Sequence, residues 1–449
     1  MASCIAAGCG SDGIELRSGT LPDAPSITVG TDAGSVSVSV SVDDDTRVAL
    51  APIVDGILQL PDGWFEMAGY GTVLHADGDE ITLHYVTSST CVVGDHVDNE
   101  LPVDHAGLDA GGVIVADLVG PTTDYRLLPL TGGFDCDSRP AESVTALDEV
   151  FRAHYPFFGE RGVDWSDSVA AIRTATAADP SAFEPALAEF MAELADGHTT
   201  LDWLSIDPPL EKFGMPELAS IDDAAAAMRT ELDATLARVD GLRVDPTGSV
   251  GWGMLDDSIG YLLLAGFDEV SGEDDPVANR AAFADAMNAA VADLAPRSDR
   301  IVVDVRFNEG GEEDLAVRAA GYFVEEPTPA YRKWAYGQPD PFVQVVEVDP
   351  QPVRFTGDVV VLTSPVTASA AEVFALAMTE VADATVIGNP SFGEFSDAID
   401  WVLPNGVEFT MSMEVYTDLS GTNHETNGVP VEIVTRFDEG LDAAVVHLR

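Results

Sequence analysis

Ser369 stands at a joint that can do chemistry. An apolar run, Val359-Val360-Val361-Leu362, passes through a short polar turn into a segment with Val373, Phe374, Leu376 and Ala377 on one helical side. A serine between a buried strand and a helix start lies beside unpaired backbone N–H groups and the positive end of the helix dipole. A hydroxyl placed there can attack a carbonyl, because oxyanion charge developing nearby is stabilised. The same letters also spell a capping box, Ser369-Ala-Ala-Glu372, in which the serine only terminates a helix. This stretch alone leaves both readings open.

Three further segments supply what a serine nucleophile needs. Ile301-Val-Val-Asp-Val-Arg-Phe-Asn-Glu-Gly310-Gly311 reads as a buried strand ending in a glycine pair. Without Cβ atoms, the backbone N–H groups of such a pair can approach a ligand closely. His198 follows a helix marked by Phe183, Leu187, Phe190, Met191 and Leu194, with Gly197 as the expected stop. Glu425 lies in a loop near the end of the chain. A serine hydroxyl is a weak nucleophile at neutral pH, and a histidine of pKa near ~6.5 is suited to take its proton. A carboxylate beyond the ring fixes the tautomer and stabilises the imidazolium.

In order and spacing these segments resemble the C-terminal processing (tail-specific) serine peptidases, tricorn-core-like branch. The resemblance runs from about Leu147 to the C-terminus. It rests on Tyr155-Pro-Phe-Phe158 through Val163-Asp164-Trp165, Asp196-Gly197-His198-Thr199, Ile259-Gly260-Tyr261, Asp304 to Gly311, Thr367 to Glu372, Leu403-Pro404-Asn405-Gly406 and Glu425 to Pro430. It implies a Clp-protease/crotonase-like fold and a serine endopeptidase that hydrolyses peptide bonds through an acyl-enzyme. Ser369 would be the nucleophile, His198 the base and Glu425 the orienter of the imidazole. Backbone N–H groups of Gly310 or Gly311 and of Ala370 would form the oxyanion hole. The substrate would be a peptide or unfolded protein.

The pattern has departures. Where the serine–lysine branch of the family carries its base, this chain has Glu394, read as a surface carboxylate or a rim contact. The only lysines, Lys212 and Lys333, lie in no family motif. Gly197 precedes the histidine where the branch has a serine, so the Glu425–His198 link is open between direct contact, Thr199 and a water. His424 is a rival base, with an exposed loop histidine as the plainer expectation. Asp196 is a second candidate orienter, although aspartate before glycine more often steadies a turn. Asp304 and Arg306 are expected to be scaffold and Asn308 a loop brace. The alternative function is a non-catalytic binder of hydrophobic ligand or peptide on the same scaffold. Acyl-CoA chemistry is disfavoured, since an acidic surface repels nucleotide phosphates.

The elements that must position these residues follow from periodicity. From Val250 onward apolar strands and helices alternate, which argues for a layered α/β core with a largely parallel sheet. Residues 35–140 alternate apolar and polar residues in short runs between Gly, Asp and Pro clusters, the signature of a small β-rich domain. The pattern turns helical over 141–250, expected as a subdomain carrying His198. That stretch is rich in Ala, Asp and Glu and shows no run of strands for a peptide-binding PDZ domain. The α/β peptidase core is expected over 251–449.

Composition bounds the partners. The 449 residues carry 78 acidic and 21 basic side chains, a formal charge of −57. Such a field repels nucleic acid and anionic lipid. Eight histidines show no metal-ligand spacing, so neither metal nor other cofactor is expected. Ile5-Ala-Ala-Gly8 before Cys9 resembles the cleavage end of a lipoprotein signal whose charged start is missing. Residues 1–34 are therefore expected to be a signal remnant and polar tether, with a lipid anchor at Cys9 and a periplasmic or extracellular location. Cys91 and Cys136 can pair in an oxidising compartment.

Overall fold

The computed structural model describes residues 26–32, 35–43, 46–49, 57–108, 113–130, 136, 142–201, 210–268, 270–272, 275–338 and 341–449. Cys9 and the signal remnant lie outside the described residues. Part of the expected tether is instead a strand: Ser26–Asp32 pairs antiparallel with Ser35–Asp43.

The chain divides into two compact units. The first runs to His154 and takes back two short later segments, one beginning at Gly337 and the other Trp401–Glu408. Its main sheet has eight strands, all antiparallel, ordered from Ile57–Leu58 through Leu101–Leu108, Ile114–Leu118, Asp124–Leu130, Gly63–Met67, Thr72–Asp77 and Glu80–Val86 to Cys91–Asp98. Alternation buries Phe65, Leu74, Ile81, Ile114 and Leu127 on one face. Cys91 and Cys136 form a disulfide, with Cα atoms 5.1 Å apart. The helix Ser143–His154 belongs to this unit, whereas the other helices expected within 141–250 belong to the second. The main span of the first unit ends at His154.

The second unit is the layered α/β core. Its seven-stranded sheet runs Asp240–Val244, Val250–Met254, Gly260–Leu264, Arg300–Asp304, Asp358–Thr363, Thr385–Gly388, Ile433–Val434. Pairing is antiparallel at the first two junctions and parallel from Gly260–Leu264 onward. Side chains alternate across each strand, so Val303 and Val361 face one layer while Val302, Val360 and Leu362 face the other. Both faces are covered, which is why these strands read as continuous apolar runs. Helices Pro276–Leu294, Glu313–Ala320 and Ala370–Val381 cover the first face through Phe283, Leu315 and Phe374. Helix Gly440–His447 covers the second through Leu441 and Ala444. Among the described residues after His198, 210–250 supply a helix, Ile221–Leu236, and an edge strand of this sheet.

Two neighbouring parallel strands, Arg300–Asp304 and Asp358–Thr363, end at the same edge of the sheet. Open α/β sheets present ligands at the carboxyl ends of their strands. The glycine pair follows the first of these strands and Ser369 the second.

Candidate active site

Hydrogen bonds stitch the serine turn to the glycine loop. The Ser364 hydroxyl donates to the Arg306 carbonyl at 2.6 Å and the Thr367 hydroxyl to the Val305 carbonyl at 2.8 Å. Ala368 N–H donates to the Asn308 carbonyl at 3.3 Å. The approach is close enough to exclude a side chain: a Cβ on Gly310 would sit 2.6 Å from Ser369 Cβ and 3.2 Å from Ala370 N. Gly311 is equally constrained, since a Cβ there would lie 2.5 Å from the Phe267 carbonyl carbon. Both glycines have φ in the region side chains avoid, 114° and 121°.

Ser369 opens the helix Ala370–Val381, and with Glu372 it has the form of a capping box. Its backbone, however, sits at φ 53° and ψ −128°, outside the extended region that ordinary N-caps use. Strain of this kind costs of order 1–3 kcal/mol and collects at functional sites. Glu372 holds the serine in place. Its carboxylate accepts the Ser391 hydroxyl at 2.6 Å, the N–H groups of Gly393 and Glu394 at 2.7 Å each, and the Ser369 N–H at 3.3 Å. Burial lifts this carboxyl to about 7 against the pull of those four bonds.

The N–H groups expected to meet an oxyanion differ in where their protons go. Gly310 N–H is taken by the Asn308 side chain at 2.8 Å, so it does not face an oxyanion. Asn308 is thereby the expected brace, its amide also donating to the Leu264 carbonyl. Phe267 bonds to Gly310 and Glu312 on either side of Gly311, which turns the Gly311 N–H the other way.

His198 lines the same cavity as Ser369 and the glycine pair, a space of about 870 Å³. No hydrogen bond joins His198 to Ser369, and the buried Nδ1 of the ring has no partner. The Asp196 carboxylate accepts the His198 backbone N–H and the Ser412 hydroxyl, both at 3.0 Å, which fixes the turn. Gly197 is not the helix stop. Ala195 takes the left-handed position, φ 52°, and its N–H returns to the Met191 carbonyl. Burial pushes the His198 ring below its ordinary pKa, opposed by the Asp196 charge and the Ser396 carbonyl and aided by Arg161. The imidazole is neutral at neutral pH, as a base must be.

Glu425 and His198 are not in direct hydrogen-bond contact. Glu425 Oε1 accepts Arg161 Nη2 at 2.9 Å and Oε2 accepts the Phe395 N–H at 2.9 Å. The Thr199 hydroxyl does not bridge them, because it accepts the Ser412 N–H. A buried guanidinium instead gathers three carboxylates: Arg161 lies 3.6 Å from Asp196, 3.1 Å from Glu394 and 2.9 Å from Glu425. Tyr155 caps Asp196 from the far side at 2.7 Å. Three carboxylates exceed one guanidinium, so burial and mutual repulsion raise Glu425 to about 8 and Glu394 well above its usual range. Asp196, nearest to hydrogen-bond saturation, is held down by Arg161 and Tyr155 despite its burial.

Other expectations resolve plainly. Glu394 is buried, not a surface carboxylate. His424 is buried and paired with Asp418 at 3.0 Å, so it is no exposed loop histidine. Asp304 and Arg306 form a fully buried pair at 2.7 Å, as scaffold should. Arg161 was not singled out from the sequence, although it lies inside the Tyr155–Trp165 stretch that carries the resemblance. An arginine between two glycines, Gly159 and Gly162, is the one local signal.

Residues 258–435 match the family model Peptidase family S41; His198 lies before the matched range. Among solved structures, a candidate peptidase of Parabacteroides merdae aligns with a TM-score of 0.54 at 20% identity, covering 68% of this chain and 95% of that one. Mature CPAF complexed with lactacystin aligns at 0.48 and 11%, covering 68% and 95%. The photosystem II D1 C-terminal processing protease aligns at 0.33 and 22%, covering 39% and 42%. The likeness to the first is one of fold.

Proposed function

We propose that the peptidase family S41 domain carried by this chain hydrolyses internal peptide bonds, with Ser369 as nucleophile and His198 as base. The observation that carries this reading is the strained Ser369, held at a helix start by Glu372 against a glycine that nothing larger could replace. A peptide entering the cavity brings its carbonyl to the Ser369 hydroxyl. As the C–O bond forms, the hydroxyl proton passes to His198, and the amides of Gly311 and Ala370 meet the oxyanion. His198 then returns the proton to the leaving amine, and a water repeats the sequence on the acyl-enzyme. The hydroxyl–imidazole hydrogen bond, absent from the empty site, forms as substrate seats.

Asp196 supplies the negative potential beside the imidazole, and the Ser396 carbonyl orients the ring. Glu425 acts at one remove, by anchoring Arg161 against the His198 turn. Among the described residues no lysine or arginine lines the cavity, so no cationic side chain there pairs with a chain-terminal carboxylate, which supports cleavage within chains. The Cys91–Cys136 disulfide supports an oxidising, extracytoplasmic location. Among the described residues no helix is long and apolar enough to cross a membrane.

The test is labelling with a fluorophosphonate probe, followed by peptide mapping and casein digestion. Label on Ser369, with labelling and digestion both lost in Ser369→Ala and the melt nearly unchanged, is the expected result. Label elsewhere, or digestion that survives the substitution, refutes the assignment.

A further inference from the structure

Asp397 has no place in the chemistry above. It lines the same cavity as Ser369 and His198, and its carboxyl makes no hydrogen bond among the described residues. Behind it lies a buried ionic network. Lys333 Nζ, on the strand Thr328–Ala335, donates to Glu313 Oε2 at 2.6 Å and to the Tyr416 hydroxyl at 3.2 Å, and lies 3.6 Å from Glu414 Oε2. The Tyr331 hydroxyl also binds Glu313. Lys333 and Glu414 are each 1% exposed and Glu313 5%.

This network is short of positive charge. One ammonium faces three carboxylates, those of Glu313, Glu414 and Asp397. His198, neutral as argued, and the acidic Glu394, Asp268 and Glu309 line the same cavity. A partly buried carboxylate short of counter-charge favours its protonated form. Accordingly desolvation at the cavity wall and the Glu414 charge, against Lys333, push Asp397 up to about 8, and it favours the protonated form in the empty site at neutral pH. A cation entering the cavity would remove that penalty by taking the place of the proton.

We infer that Asp397 is the subsite for a cationic group of the substrate, a lysine or arginine side chain or an amino-terminal ammonium, seated in the cavity that holds Ser369. Its use in turnover rests on the peptidase reading; its existence as a binding site does not. The peptides favoured are therefore those with a positive charge close to the cleaved bond. Binding releases the Asp397 proton, so the preference for charge grows as pH rises toward and past 8. A lysine side chain, with a pKa near ~10.4, keeps its own charge through that range.

The test uses two fluorescent peptides that differ only in lysine against norleucine, titrated onto the full-length Ser369→Ala protein. The lysine peptide is expected to bind about tenfold more tightly at pH 9. At pH 7 the advantage is expected to be smaller, because Asp397 then favours its protonated form. Asp397→Asn removes both the preference and its pH dependence, and Asp397→Glu retains them. Equal affinity for the two peptides at pH 9, no binding of either, or a preference that is flat from pH 7 to 9 overturns the subsite. The pH arm decides the matter even where Asp397→Asn does not fold. Lysine-selective binding without Ser369-dependent cleavage in the unsubstituted protein keeps the subsite and removes the peptidase reading. Cleavage without selectivity does the reverse.

Discussion

Arg161→Met removes a charge while keeping much of the side chain's bulk. It leaves Asp196, Glu394 and Glu425 facing one another around an apolar group, in a place where the arginine side chain is only 6% exposed. Breaking a buried ion pair costs about 3–5 kcal/mol, because the remaining charge is stranded. Part of that is avoided at neutral pH, since Glu394 and Glu425 already favour the protonated form. A loss of about 3 kcal/mol at pH 7 corresponds to roughly 6–12 °C in the melt for a unit of this size.

The pH dependence fixes the sign. Asp196 titrates lower in the folded protein than in the unfolded chain, so its contribution is present above ~4 and is lost as pH falls through the folded value. Glu425 titrates higher when folded, so its contribution is full below ~4.3 and is lost as pH rises through about 8. Without Arg161 every deprotonation in the cluster costs more. The gap between the parent protein and Arg161→Met should therefore widen from pH 7 to 9 and close below pH 4. Circular-dichroism melts at pH 4, 7 and 9 measure it. Arg161→Lys should fall between the two, keeping the charge but losing the fork. Glu425→Gln in the methionine background should restore about 1–2 kcal/mol. A gap under ~1 kcal/mol at pH 9, or one that narrows as pH rises, refutes the electrostatic account.

Two further outcomes follow from the site. Because burial depresses the His198 pKa, the acid limb of kcat/KM should lie below pH 6.5, with activity level by pH ~7; half-maximal activity at or above pH 7 contradicts a His198 base in this setting. Gly310→Ala should abolish probe labelling at Ser369 and cut kcat at least ~100-fold, since the new methyl would lie 2.6 Å from Ser369 Cβ; normal labelling rates would show that the loop is not the wall of the site.

The parts of this molecule that are local in sequence were legible from it. The strand–turn–helix around Ser369, the glycine pair, the helix before His198 and the β-rich first unit all announce themselves by periodicity and turn residues. What escaped is long-range pairing of charge. Nothing near Glu394 says that a guanidinium 233 residues earlier will bury it, and the Glu425 loop reads the same whether its carboxylate meets a histidine or an arginine. The stop at Ala195 escaped for a different reason. Its left-handed backbone is imposed by the Asp196 turn that follows, in a position where glycine would be the usual choice.

Arg161 and Glu425 are separated by 264 positions along the chain. At a synthesis rate of about 5–20 residues per second, on the order of ten seconds or more elapse between the emergence of one and of the other. Through that interval the histidine turn has no anchor on its far side. A fastening that spans so much of the chain closes only after the intervening strands and helices have been made, so the His198 turn is completed late in folding.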